Sequence, residues 1–117
     1  MASISPWLTV PDGNVAADFY IRAFGAEVVY RLDDGDVLIV ARLAVDGADF
    51  WIQAEPGARG TDSPVRMIVT VDDPDAWFAR AVAAGAGEIA PVHEEHGWRT
   101  GRVQDPYGHD WEFSRAL

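Results

Sequence analysis

The chain repeats itself. Laid over itself with a shift of 61 positions, LTVPDGNVAADFY from Leu8 falls on VTVDDPDAWFARA from Val69, which aligns Thr9 with Thr70, Val10 with Val71 and Asp12 with Asp73. After a one-residue slip FGAEVV from Phe24 falls on AGAGEI from Ala84, and DGADFWIQ from Asp46 falls on YGHDWEFS from Tyr107. Repetition on this scale restricts the fold more than any composition does, because each copy must build the same supersecondary unit.

The unit can be read locally. ISPWLTV and VRMIVTV are short, apolar and rich in β-branched residues, and each stops at a turn cluster, which predicts a strand. A helix follows each, with Asp12 or Asp73 at the N-cap, Gly13 or Pro74 in the first turn, and Gly25 or Gly85 at the end. Val15, Phe19, Ile21 or Arg22, and Phe24 are expected to form the apolar face of the first helix; Trp77, Phe78, Ala81, Val82 and Gly85 answer to them in the second. Phe19, Phe24, Trp77 and Phe78 are then core residues. AEVVYRL, a turn at DDGD, VLIVARLAV, a turn at Asp46-Gly47, and ADFWIQA complete a meander, since Asp-Gly between apolar runs signals a hairpin. The fold class is α+β: two tandem βαβββ modules, the first spanning about 1–56 and the second about 65–117, with the Gly-, Pro- and Ser-bearing stretch 57–64 as linker.

Composition narrows the functions available. With 117 residues and 49% hydrophobic residues, the chain can bury one core without staples. Cysteine is absent, which removes disulfides, thiolate nucleophiles and Cys-ligated zinc. A formal charge of -10 repels phosphate backbones and anionic lipid, so neither nucleic acid nor membrane is an expected partner. No apolar run approaches the roughly 20 residues of a bilayer crossing, and the N-terminus lacks the basic flank of a targeting segment. A cytoplasmic protein is expected.

Three stretches hold candidate chemistry. DPYGHDWEF, from Asp105, places His109 and Glu112 at an odd interval, so in one strand they point to opposite faces and cannot share an ion. His109 is expected to face a helix with Trp111 and Phe113, and Asp110, Glu112 and Ser114 to face the other way. DPYG itself is a turn by Pro and Gly chemistry. HEEH, from His93 to His96, lacks the helical spacing of a two-histidine zinc motif and is expected to be an exposed acidic loop. GWRTGR brings Trp98, Arg99 and Arg102, either as local counter-charges or for an anionic group on a ligand.

The paired halves, DFYIRAFGAEVV, AVAAGA and above all GWRTGRVQDPYGHDWEFS resemble the vicinal oxygen chelate superfamily of glyoxalases, bleomycin-resistance proteins and extradiol dioxygenases, most closely its PhnB-like group. The resemblance spans nearly the whole chain. It implies that each half forms a mixed four-stranded sheet, that the sheets close around a cleft, and that the protein is a homodimer. It also implies four metal-ligand slots, which here hold Ser5, Trp51, Arg66 and Glu112. A guanidinium has no acceptor and keeps its proton, so Arg66 is the wrong group for a cation. No metal and no cofactor is expected; an Arg66–Glu112 ion pair is expected in the place of the ion.

By strand parity Trp7 shares a face with Ser5 and Thr9, and Trp51 with Gln53. The expected ligand-binding set is therefore Trp7, Thr9, Trp51, Gln53, Arg66, Ile68, Asp110 and Glu112, with Trp98 and Arg99 at its margin. The function this favours is metal-free binding of a small molecule, as in sequestration of a cationic or aromatic drug-like ligand. The alternative is a glyoxalase-like lyase or isomerase using a divalent metal, or Glu112 as catalytic general base within reach of a substrate proton.

Overall fold

The computed structural model describes residues 1–59 and 64–117. The middle of the expected linker, 60–63, lies outside the described residues. The chain divides into two compact units, Met1–Arg59 and Gly60–Leu117. No helix among the described residues is long and apolar enough to cross a membrane.

The first unit runs β1 (Trp7–Val10), α1 (Gly13–Phe24), β2 (Glu27–Asp34), β3 (Val37–Val45) and β4 (Ala48–Ala54). Its sheet has the order β1-β4-β3-β2, with β1 parallel to β4 and the rest antiparallel. The Asp12 carboxylate accepts the Val15 N–H at 3.1 Å and so caps α1, while Gly25 closes it in the left-handed conformation at φ 68°. Gly13 sits so close to β3 that a Cβ there would lie 2.5 Å from the Leu38 carbonyl oxygen. Leu8, Val10, Ala41, Leu43, Phe50 and Ile52 are buried on the helix side of the sheet.

The buried face of α1 differs from the expected one. Val15 and Ile21 are 56% and 42% exposed, and Ala16, Ala17, Tyr20 and Ala23 are buried beside Phe19 and Phe24. Small alanines let the helix approach the sheet closely, and Tyr20 then meets Phe50 edge-on with ring centroids 5.1 Å apart. Hydrophobicity of single side chains does not reveal which stripe can come nearest.

The second unit runs β5 (Arg66–Thr70), α2 (Pro74–Ala84), β6 (Gly87–Glu95), β7 (Trp98–Gln104) and β8 (Asp110–Ala116), in the order β5-β8-β7-β6. Asp73 caps α2 through the Ala76 N–H at 3.1 Å. The helix lies on β7 and β8: Trp77 meets the buried Phe113, and Phe78 reaches Gly101, whose missing side chain makes room for it. Trp77 and Phe78 are only half-buried, which corrects their expected place in the core.

HEEH is not a loop. His93, Glu94 and Glu95 end β6, and His96 with Gly97 makes the hairpin turn at φ 51° and 83°. That is nearly the geometry of Asp46-Gly47 at φ 50° and 87°, the paired positive φ that matches the twist of a hairpin. DPYG is a turn, held by Asp105. One oxygen of this buried carboxylate accepts the N–H groups of Tyr107 and His109, at 2.9 and 3.0 Å, and the other accepts the Trp111 indole N–H at 2.9 Å.

Candidate functional site

Each sheet has one face against its helix and one face free of it, and the expected residues fall on the latter with one exception. In the first unit Trp7 lies beside Trp51 and Thr9 beside Gln53, in parallel register. Arg42 of β3 is directly across from Trp51, and Tyr30 of β2 across from Arg42. Side chains in register share a face, so these six form one patch.

The patch is an aromatic platform trimmed with polar groups. Trp7 and Trp51 stack, with ring centroids 5.6 Å apart and planes 20° apart; Tyr30 tilts against Trp51 at 5.8 Å. The Arg42 guanidinium lies 5.7 Å from the Trp51 ring centroid and forms an ion pair with Asp49. Asp49 also accepts the Ser5 hydroxyl at 3.2 Å, and Gln53 accepts the Trp7 indole N–H at 2.9 Å. Trp7 remains 53% exposed and Tyr30 48%. Tyr30, Arg42 and Asp49 went unread in the sequence, although Arg42 is the one charge inside the apolar run VLIVARLAV and could have been found as that outlier.

The second unit repeats this register with different chemistry. Ile68 lies beside Glu112, Arg66 beside Asp110 and Thr70 beside Ser114. Across β8, Arg102 of β7 faces Glu112, Thr100 faces Ser114 and Gln104 faces Asp110. Arg66 Nε stands 3.3 Å from Glu112 Oε1, so the expected ion pair forms; Glu112 is its more buried member, with 17% of its side chain exposed against 43% for Arg66. Gln104 donates to Asp110 at 3.2 Å. His93 of β6, across from Thr100, has its pKa raised by its hydrogen bond with the Pro91 carbonyl, and further by Glu95 and Glu112.

Trp98 ends up at the margin of this face, 45% exposed. Arg99 does not join it. As the neighbour of Trp98 in a strand it points to the helix side, where Asp75 of α2 grips it at 2.6 Å through two nitrogens and Glu94 lies at 3.4 Å. Arg99 holds the Asp75 carboxyl below its ordinary pKa, and the pair ties α2 to β7. Of its two expected roles, the structure shows that of a local counter-charge.

The sequence model of the Glyoxalase/Bleomycin resistance protein/Dioxygenase superfamily matches residues 2–113. The chain belongs to this superfamily. Two relatives of the glyoxalase/bleomycin-resistance chain are uncharacterized proteins of Mycobacterium bovis and Mycobacterium tuberculosis, each 35% identical over 98% of this chain and covering 84% and 75% of the relative. Among solved structures, TioX from Micromonospora sp. ML1 superimposes with a TM-score of 0.81 at 29% identity, over the whole of both chains. The fosfomycin resistance protein FosX from Listeria monocytogenes, complexed with Mn(II) and sulfate, has the same fold, with a TM-score of 0.77 at 16% identity over 100% of this chain and 92% of that one.

Metal-dependent members of the superfamily suggest a divalent ion, and the donors present here do not suit one. Of Ser5, Trp51, Arg66 and Glu112, only Glu112 is an anionic ligand, and its partner at 3.3 Å is a fixed cation. Among the described residues no group of three or more His, Cys, Asp or Glu side chains could hold a metal ion.

Proposed function

We propose that this glyoxalase/bleomycin-resistance protein, PhnB-like within its superfamily, captures a small aromatic molecule without using a metal, as a cytoplasmic homodimer. The observation that carries the reading is the Trp7–Trp51 stack, a rigid flat surface with the outer ring half-exposed and its edges supplied with hydrogen-bonding groups. Flat ligands gain dispersion and hydrophobic contact on such a platform at little entropic cost, since both rings are already held. The charge of -10 draws cations at long range, so a cationic aromatic compound of the drug-like kind is the favoured class. Trp7, Tyr30 and Leu32, each about half-exposed on one chain, support a second copy as cover.

A second reading, a lyase or isomerase of the glyoxalase kind, has one observation in its favour: Glu112 is largely buried on a helix-free face, where a general base would serve. The Arg66 guanidinium occupies that carboxylate, which favours capture. Titrating a planar cationic dye against tryptophan fluorescence, with a parallel thiol–ketoaldehyde turnover assay with and without Mn(II), separates the two. Quenching without turnover, lost in Trp7→Ala, supports capture; metal-dependent turnover overturns it. Sedimentation of the same samples reads the dimer.

A further inference from the structure

The helix-free face of the second sheet contains two donors that no described residue satisfies. Arg102 Nε and Thr100 Oγ1 are both enclosed, and neither has a hydrogen-bond partner among the described residues. They alternate along β7, so they share a face, in neighbouring rows of the sheet: Arg102 across from Glu112, Thr100 between Ser114 and His93. Enclosed polar groups are normally paired, and an orphan of this kind asks for an explanation.

The acids nearby do not supply one. Glu112, which the register places beside Arg102, is held by Arg66 at 3.3 Å. Asp110 accepts from Gln104, and Glu95 lies 3.5 Å from His93. In a chain of 19 acidic residues, each acid on this face is engaged with another group, and no ion pair to Arg102 forms among the described residues. Arg115 Nε is also enclosed and unpaired, but it points to the helix side, within the electrostatic reach of Asp75.

We propose that this face by itself holds an oxyanion of a small molecule, a carboxylate or a phosphonate-type group, between the Arg102 guanidinium and the Thr100 hydroxyl. One oxyanion seated on this face can accept from both. The guanidinium matches such a group in charge and in fork geometry. His93 stands across from Thr100, and its hydrogen bond with the Pro91 carbonyl raises its pKa. Arg66 acquires a purpose here: it keeps Glu112 from taking Arg102, and so leaves a cation available to the ligand. The proposal rests on the reading that the protein captures small molecules, and it adds an anionic group to the chemistry that the second unit accepts.

Calorimetric titration of the full chain with benzylphosphonate, benzoate and inorganic phosphate, against neutral benzamide, tests it. The anions bind and benzamide does not; phosphonate against carboxylate identifies the source. Arg102→Gln weakens binding about tenfold or more, as loss of a charge-assisted contact should, and Thr100→Val weakens it less. Arg66→Ala weakens it too, because Glu112 is released onto Arg102, and Arg66→Ala with Glu112→Gln restores it. Arg22→Gln on α1, verified as folded with the others by circular dichroism, leaves it unchanged. Equal binding by Arg102→Gln and the unaltered chain overturns the proposal, as does binding of benzamide alone. Dye quenching by Trp7 and Trp51 in the same samples separates the failures: retained quenching without anion binding removes only the oxyanion site, and loss of both removes the capture reading with it.

Discussion

Arg66 and Glu112 form an ion pair that joins two parallel strands, Nε to Oε1 at 3.3 Å. With 43% of the arginine side chain exposed, solvent screens most of their attraction, and the pair contributes about 0–1 kcal/mol to stability. Arg66→Ala is therefore expected to unfold in urea within about 1 kcal/mol of the unaltered protein. Dialysis against Mn(II) or Zn(II), followed by elemental analysis, is expected to leave substoichiometric metal on the protein.

Trp7 contributes more to binding than to folding, because half of it already faces solvent. Trp7→Ala should abolish most dye quenching while shifting the denaturation free energy by about 1 kcal/mol. Trp51→Ala, which also removes contacts with Tyr30 and Arg42, should cost about 2–3 kcal/mol. Chemical denaturation and fluorescence titration on the same variants measure both quantities.

Asp105 organises the turn before β8 from a buried position, accepting three N–H groups. Asp105→Ala leaves the Trp111 indole N–H and two backbone donors without this acceptor, and is expected to destabilise by about 2–4 kcal/mol. Asp105→Asn, which keeps one carbonyl oxygen, should cost less. Loss of the near-ultraviolet circular dichroism of Trp111 would accompany either.

Two titrating groups predict opposite dependences on pH. The Asp75 carboxyl is held below its ordinary value, first by hydrogen bonding from Arg99, so its contribution is present above the unfolded pKa of about 3.9 and disappears as pH falls through the lower folded value. His93 is raised, first by its bond with the Pro91 carbonyl, so its contribution is present below about pH 6.5 and is lost as pH rises through the folded value. Melting temperature followed from pH 2 to 9 should lose its acid-side component in Asp75→Asn and its near-neutral one in His93→Gln.

Gly13→Ala places a methyl group 2.5 Å from the Leu38 carbonyl oxygen, so α1 must shift from β3 at a cost of about 1–3 kcal/mol. Gly87→Ala is the internal comparison. A Cβ there meets only the Gln104 carbonyl, at 3.9 Å, and thermal denaturation should barely change.

The repeat proved readable to the level of strand register. Trp7 pairs with Trp51 and Ile68 with Glu112, the same pairing carried 61 positions along, and the two hairpin strands of the first unit, Val37–Val45 and Ala48–Ala54, have the expected bounds. Arg66 and Glu112 came together for the same reason, because parity and register are both local regularities. Sidedness failed where a regularity broke. Register shifts between Val28 and Tyr30 and between Ala90 and His93 reverse the parity of the edge strands, which hid Tyr30 from simple alternation, while His93 was expected in a loop and not in a strand. Arg99 was misgrouped with Trp98 because the stretch around it lacked a clear strand signal, and adjacent strand residues cannot share a face.

From the sequence alone came the two βαβββ modules, their caps and turns, and the chemistry of the slot residues, all governed by interactions a few residues apart or by the repeat itself. Which stripe of α1 is buried, which arginine is gripped by a carboxylate and which is left unpaired, and how Asp105 serves three donors were decided only in three dimensions. Those outcomes depend on competition among side chains distant in the chain, and a charge finds its partner only after the strands are in place.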